Sequence, residues 1–171
     1  MNFDVFGPFA IPRNEAKTRI ADDRLDEFRN EVENSCEDLL TACGCYVFVI
    51  RAAKGYTTWY VGRTKKQTFK NEPFTPANIR KYESVLEHGT PMIFLIPIIT
   101  KSETRFRKQN SALKSVEFLE KWLIAEALKK NSNLLNSQDT KFVRELHVKG
   151  VFNAKHGEST KASTELKRAI W

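Results

Sequence analysis

Two apolar runs separated by a short turn constrain this chain more than any other feature. Residues 45–50 read Cys-Tyr-Val-Phe-Val-Ile and residues 57–61 read Thr-Thr-Trp-Tyr-Val, both rich in β-branched and aromatic side chains. Between them, Ala52, Ala53, Lys54 and Gly55 are turn-prone, so the two runs are predicted to pair as an antiparallel hairpin. Side chains alternate across a strand, which puts Tyr46, Phe48 and Ile50 on one face and Tyr60 near Tyr46 on the partner strand. For either tyrosine taken alone, cross-strand packing is a sufficient account, because aromatic side chains suit a pleated surface.

A carboxylate on the core side of a helix gives the pair of phenols a second meaning. Residues 111–130 read as a helix in which Leu113, Val116, Leu123, Ile124 and Ala127 share one arc, with Glu120 at its centre. An ionised carboxylate buried without compensation costs on the order of several kcal/mol. Glu120 is therefore expected to be paired with an Arg or Lys, protonated, or coordinating a cation. Glu117 and Glu126 fall toward the edges of the arc and read as solvated charges, while Phe118 and Trp122 lie on the opposite side of the helix.

Four pieces of the chain, in order, resemble the motifs of the GIY-YIG nuclease superfamily: Gly44-Cys45-Tyr46, Tyr60-Val61-Gly62-Arg63-Thr64, the helical run around Glu120, and Asn136 in Leu134-Leu135-Asn136. The resemblance covers residues 43–138. Cys45 stands where the family usually has an aliphatic residue, and the arginine expected soon after the second motif is missing from its common place. Residues 65–76 read instead as an insertion before a helix that Thr75 caps and Pro76 opens. That helix, residues 76–88, carries Arg80 beside Ile79, Tyr82, Val85 and Leu86, and ends at His88, where a cation suits the helix dipole. Arg80 is the first candidate for the displaced arginine, Arg63 the second, and Lys81 the third.

The resemblance implies an α/β (α+β) domain: a small three-stranded, mostly antiparallel sheet on the Tyr46, Tyr60 and Met92 strands, flanked by helices. It also implies a metal-dependent endonuclease hydrolysing phosphodiester bonds in DNA. In that reading Glu120 holds one Mg²⁺, for which Mn²⁺ can substitute, and Arg80 or Arg63 braces the scissile phosphate. Tyr46 takes the proton of the attacking water, Tyr60 orients that water or the phosphate, and Asn136 and Lys81 support the site from behind. A phenol ionises near pH 10 in water, and the adjacent cations are expected to lower that value. The competing class is a non-catalytic nucleic-acid-binding or assembly module that retains the fold. A phosphodiesterase acting on RNA or a small nucleotide is a third, without positive support from the residues.

Composition agrees with one modest domain and a polyanionic partner. The 171 residues, 41% of them hydrophobic, suffice for a single core, and 28 basic against 21 acidic residues give a formal charge of +7, which attracts phosphates. The start of the chain lacks a basic leader and a continuous apolar segment. The longest apolar run, residues 92–99, is too short to span a bilayer and contains Pro97, so it reads as a strand. No membrane partner is expected. Cys36, Cys43 and Cys45 form no Cys-x-x-Cys pair, which points to reduced thiols in a cytoplasmic setting. Their spacing, with His88, His147 and His156, suits no usual zinc site.

The expected layout is a single domain with three segments. Residues 1–40 form an arm, carrying Phe3, Phe6, Phe9 and Ile11, and an amphipathic helix over 22–40 with Leu25, Phe28, Val32, Cys36 and Leu39 at helical spacing. Residues 41–138 form the nuclease-like core, and residues 139–171 an extension packed on it, with a strand over 142–148 and a capped helix over 159–171. The polar stretches 101–110 and 130–140 are expected to be the most mobile.

Overall fold

The structure is a computed structural model that describes residues 2–53, 55–64, 67–100, 106–107, 114–136, 140, 145, 148, 151 and 159–170. It divides into two compact units, Met1–Leu135 and Asn136–Trp171. Lys54, Leu113, most of the strand expected over 142–148, and much of the two polar stretches lie outside the described residues.

The hairpin forms as expected in the first unit. Strand β3, taken here as Gly44–Ala52, pairs antiparallel with β4, Gly55–Arg63, with Tyr46 opposite Gly62 and Phe48 opposite Tyr60. The register then slips, because Val49 faces Thr58 and leaves Trp59 as an extra residue. A bulge of this kind turns two successive side chains toward the same side, and both Trp59 and Tyr60 pack against the same core. Strand β5, Thr90–Ile99, runs antiparallel along the other side of β3 and contains the predicted apolar run.

Where three strands are expected, the antiparallel sheet has five. The N-terminal arm pairs with the outer side of β5 instead of only lying on the surface. Its strands are β1, Asn2–Phe3, which meets Ile98 and Ile99, and β2, Phe6–Ala10, which meets Met92, Ile93 and Leu95. The physical reason is that an open strand edge presents unpaired N–H and C=O groups, and an extended segment of the same chain satisfies them. The opposite edge strand is β4.

Alternation along β3 builds two cores. Tyr46, Phe48 and Ile50 join Phe9, Leu39, Phe74, Tyr82 and the buried residues Leu25, Phe28 and Val32 of helix α1, Leu25–Ser35. That helix is shorter than expected, because Cys36 adopts an extended backbone and Leu39 falls in a separate 3-10 turn. Helix α2, Pro76–Glu83, is also shorter, with residues 86–88 forming their own 3-10 turn. Pro76 opens α2 as predicted, and Thr75 occupies the cap position, but its side chain makes no cap hydrogen bond. On the other face of the sheet, Cys45, Val47 and Val61 pack with Val116 and Ile124 of helix α3, Lys114–Lys130.

In the second unit, helix α4, Lys161–Ile170, starts from a reciprocal cap. The Thr160 N–H donates to Ser163 Oγ at 2.9 Å and the Ser163 N–H donates to Thr160 Oγ1 at 3.1 Å, which satisfies two backbone donors at the helix start. Among the described residues, no helix is long and apolar enough to cross a membrane.

The two motif glycines are required by close approach. A Cβ at Gly44 would overlap the carbonyl of Ile96 on β5, and a Cβ at Gly62 would overlap the ring and hydroxyl of Tyr46. Gly62→Ala is expected to destabilise the protein by about 1–3 kcal/mol, the usual range for an overpacked core. Urea denaturation measures this, and an unchanged midpoint would mean that the Tyr46 ring is free to move aside.

Candidate active site

On the α2 side of the sheet the side chains form a cluster of phenols. Tyr46 is fully buried, and its ring lies 6.2 Å from that of Tyr60 at an interplanar angle of 48°. Asn78 Nδ2 donates to the Tyr46 hydroxyl at 3.0 Å and to the Glu72 carbonyl at 2.9 Å, tying the phenol to the turn before α2. Because Asn78 approaches Tyr46 as a donor, the Tyr46 proton remains available for its hydrogen bond with Tyr60. Tyr82, one helical turn beyond Asn78, stacks on Phe48 with centroids 4.0 Å apart. Its hydroxyl is buried with no hydrogen-bond partner among the described residues. Lys81 Nζ sits 4.2 Å from the centre of the Tyr60 ring, within cation–π range.

On the α3 side the side chains form an ion cluster. Arg63 lies opposite Cys45 in the sheet register and projects onto α3. Its Nη1 is 2.7 Å from Glu117 Oε1, and its Nε is 3.0 Å from Glu120 Oε2. The Nε–H finds no aligned hydrogen bond, so the approach to Glu120 is a contact of charges. The Glu120 side chain is only 12% exposed, as its place at the centre of the apolar arc requires, whereas Glu117 is 45% exposed. The sequence reading of Glu117 as merely solvated misses this pairing. Cys45 lies close by, with its thiol donating to the Val116 carbonyl at 3.5 Å.

Tyr60 links the two clusters on the edge strand β4. Burial pushes its phenol up to about 12, and the charge of Glu120 pushes in the same direction, against the hydrogen bond with Tyr46. Burial first, then Tyr82, Tyr60 and Glu72, raises the Tyr46 phenol well above its ordinary value, opposed by Asn78. Burial likewise raises the Cys45 thiol, with Glu120 adding to the effect and Arg63 opposing it. In the protein alone, these surroundings raise the phenols, whereas the sequence reading expected nearby cations to lower them.

The three candidate cations separate clearly. Arg63 meets Glu120, Lys81 covers Tyr60, and Arg80 is exposed on α2. Successive helical side chains diverge by about 100°. With Asn78 and Tyr82 buried and setting the inward face of α2, Lys81 borders that face and Arg80 points away from it. Asn136 lies in the second unit, where it is buried and its carbonyl accepts from the Thr140 hydroxyl. Sequence reasoning did not single out Asn78 as a site residue. The signal for it was the Asn78–Tyr82 spacing of four residues, which puts an amide on the buried face of a helix.

The metal implied by the resemblance is tested by the donors at hand. Among the described residues, no group of three or more His, Cys, Asp and Glu side chains could hold an ion. Mg²⁺ commonly takes only one or two carboxylates and completes its shell with water. Glu120 with Glu117, one turn apart and already sharing a cation in Arg63, fits that requirement. Comparison of the chain with protein-family models, curated proteins and solved structures gives no match.

The raised phenols set a pH dependence of stability. A tyrosine whose folded value lies above its unfolded value near 10 contributes stability that is fully present below pH 10 and is lost as pH rises through the folded value. Tyr46, Tyr60 and Tyr82 are all raised, mainly by burial. The melting temperature is expected to fall steeply above pH 10, and Tyr60→Phe to lessen that fall. Thermal melts between neutral pH and pH 11 check this, and an unchanged alkaline limb in Tyr60→Phe would contradict the assignment.

Proposed function

We infer that this protein is a metal-dependent DNA endonuclease of GIY-YIG type. The observation that carries the reading is the edge of β4, where Tyr60 sits between the buried phenol of Tyr46 and the charge of Glu120, with Lys81 on one side and Arg63 beyond the other. Its formal charge of +7 favours a polyanionic substrate. The free thiols of Cys36, Cys43 and Cys45 support a reducing, cytoplasmic setting.

Burial reassigns the two phenols. Tyr46 is sealed in the core, whereas Tyr60 is partly exposed, so Tyr60 is the phenol placed to meet a water molecule. Tyr46, held by Asn78, donates to the Tyr60 oxygen and favours its ionised form. Arg63 takes the role first given to Arg80, bracing the scissile phosphate with fixed donors, and Lys81 keeps positive charge beside Tyr60. Glu120, assisted by Glu117, would hold the Mg²⁺, which when bound supplies neutralisation of the phosphate and a more acidic water.

One observation favours a second reading, a nucleic-acid-binding module without activity. Arg63 already neutralises Glu117 and Glu120, which is how a purely structural ion cluster would look. Nicking of supercoiled plasmid in Mg²⁺ against EDTA separates the two. Glu120→Gln is expected to abolish the metal-dependent cut, and Tyr60→Phe to lower the rate about 100-fold or more, the scale of a lost general base. Tyr46→Phe is expected to cost less. With Tyr60 as base, the rate rises about tenfold per pH unit above neutrality, because pH stays below its raised value. DNA binding without any Mg²⁺-dependent nicking by the unaltered protein would favour the second reading.

A further inference from the structure

Helix α3 presents a second surface on the side away from Glu120. With about 100° between successive residues, Lys114, Phe118, Lys121, Trp122 and Lys129 fall within one arc of roughly 100°. All five are exposed, Phe118 at 73% and Trp122 at 52%. Glu117 and Glu126 lie outside this arc, Glu117 turned to Arg63 and Glu126 paired with Lys129 at 2.6 Å. The stripe therefore alternates cations with aromatic rings and carries no carboxylate of its own.

A recess opens beside it. Trp122 forms one wall of a cavity of about 350 Å³ between α3 and the sheet, with apolar walls from Val47, Val61, Leu123 and Ala127 and with Thr58, Glu126 and Lys130 supplying its polar lining. That volume falls at the small end of ligand sites and suits one flat heterocycle inserted beside the indole.

From this surface we propose that α3 binds single-stranded nucleic acid, independently of the β4 edge. Bases stack on exposed aromatic rings and phosphates settle on the lysines between them. Four helical residues advance by about 6 Å, more than the 3.4 Å between stacked nucleotides of a duplex strand. Phe118 and Trp122 are thus spaced for the bases of a stretched single strand, one of which enters the recess beside Trp122. An anionic membrane is the poorer occupant. An interfacial helix buries a broad apolar face, whereas the apolar face of α3 is spent on the sheet and only two rings remain outside.

The test is binding of a labelled oligothymidylate to the full chain in EDTA, so that no cutting intervenes, followed by fluorescence anisotropy at two salt concentrations. Phe118→Ala with Trp122→Ala is expected to weaken binding about tenfold or more. Lys121→Glu is expected to weaken it and to flatten its salt dependence. Circular dichroism confirms that the variants remain folded. The proposal is overturned if the unaltered protein does not bind the oligonucleotide, or if the folded aromatic variant binds it equally well. Vesicles of phosphatidylserine that bind the unaltered protein and lose the aromatic variant, with no oligonucleotide bound, would assign the surface to a membrane instead.

Discussion

The ring of Tyr46 rests against the backbone of Gly62, and the arrangement of the β4 edge follows from that contact. The register sets the two residues opposite one another, and the missing side chain at Gly62 leaves the space that the phenol fills. With the ring fixed, the hydroxyl reaches Asn78 on α2, and Tyr60 can come alongside. The bulge at Trp59 then turns two aromatic side chains into the same core, so the β4 edge is lined by rings where strict alternation would have placed one of them on the α3 side.

The opposite face is organised by charge instead of shape. One guanidinium lies between two carboxylates, with Glu120 held at the centre of an apolar helix face and Glu117 reaching solvent. Burying Glu120 is tolerable only with compensation, and Arg63 provides it. Burial raises the acids near it, Cys45 and Tyr60, and the charge of Glu120 adds to that rise, while Arg63 opposes it at Cys45. Tyr60, on the edge strand and only partly buried, is reached by the charge of Glu120, whereas the deeply buried Tyr46 is acted on by Tyr82, Tyr60 and Glu72.

Helix α3 divides its labour around its circumference. Its inner arc supplies Val116 and Ile124 to two small cores and carries Glu120 between them, while its outer arc leaves Phe118 and Trp122 in solvent among lysines. The interleaving of these exposed rings with cations is the chemical feature that distinguishes this face from ordinary surface.

Much of the β4 edge was legible in the residues. Alternation and turn chemistry specify the hairpin, and helical spacing places Glu120 inward and Phe118 and Trp122 outward, because each of these depends only on local geometry. The close approaches that require Gly44 and Gly62 appear only once the strands are packed side by side. The five-stranded sheet was not legible, since pairing the N-terminal arm with β5 is a contact between residues some ninety positions apart that no local pattern encodes. Nor was the choice among Arg63, Arg80 and Lys81. Which basic side chain turns toward Tyr60 or Glu120 depends on the rotation of α2, set by the burial of Asn78 and Tyr82, and on the packing of α3 across β4. Local sequence determined which groups were available and on which side of each element they stand; only the packing of elements against one another decided which of them meet.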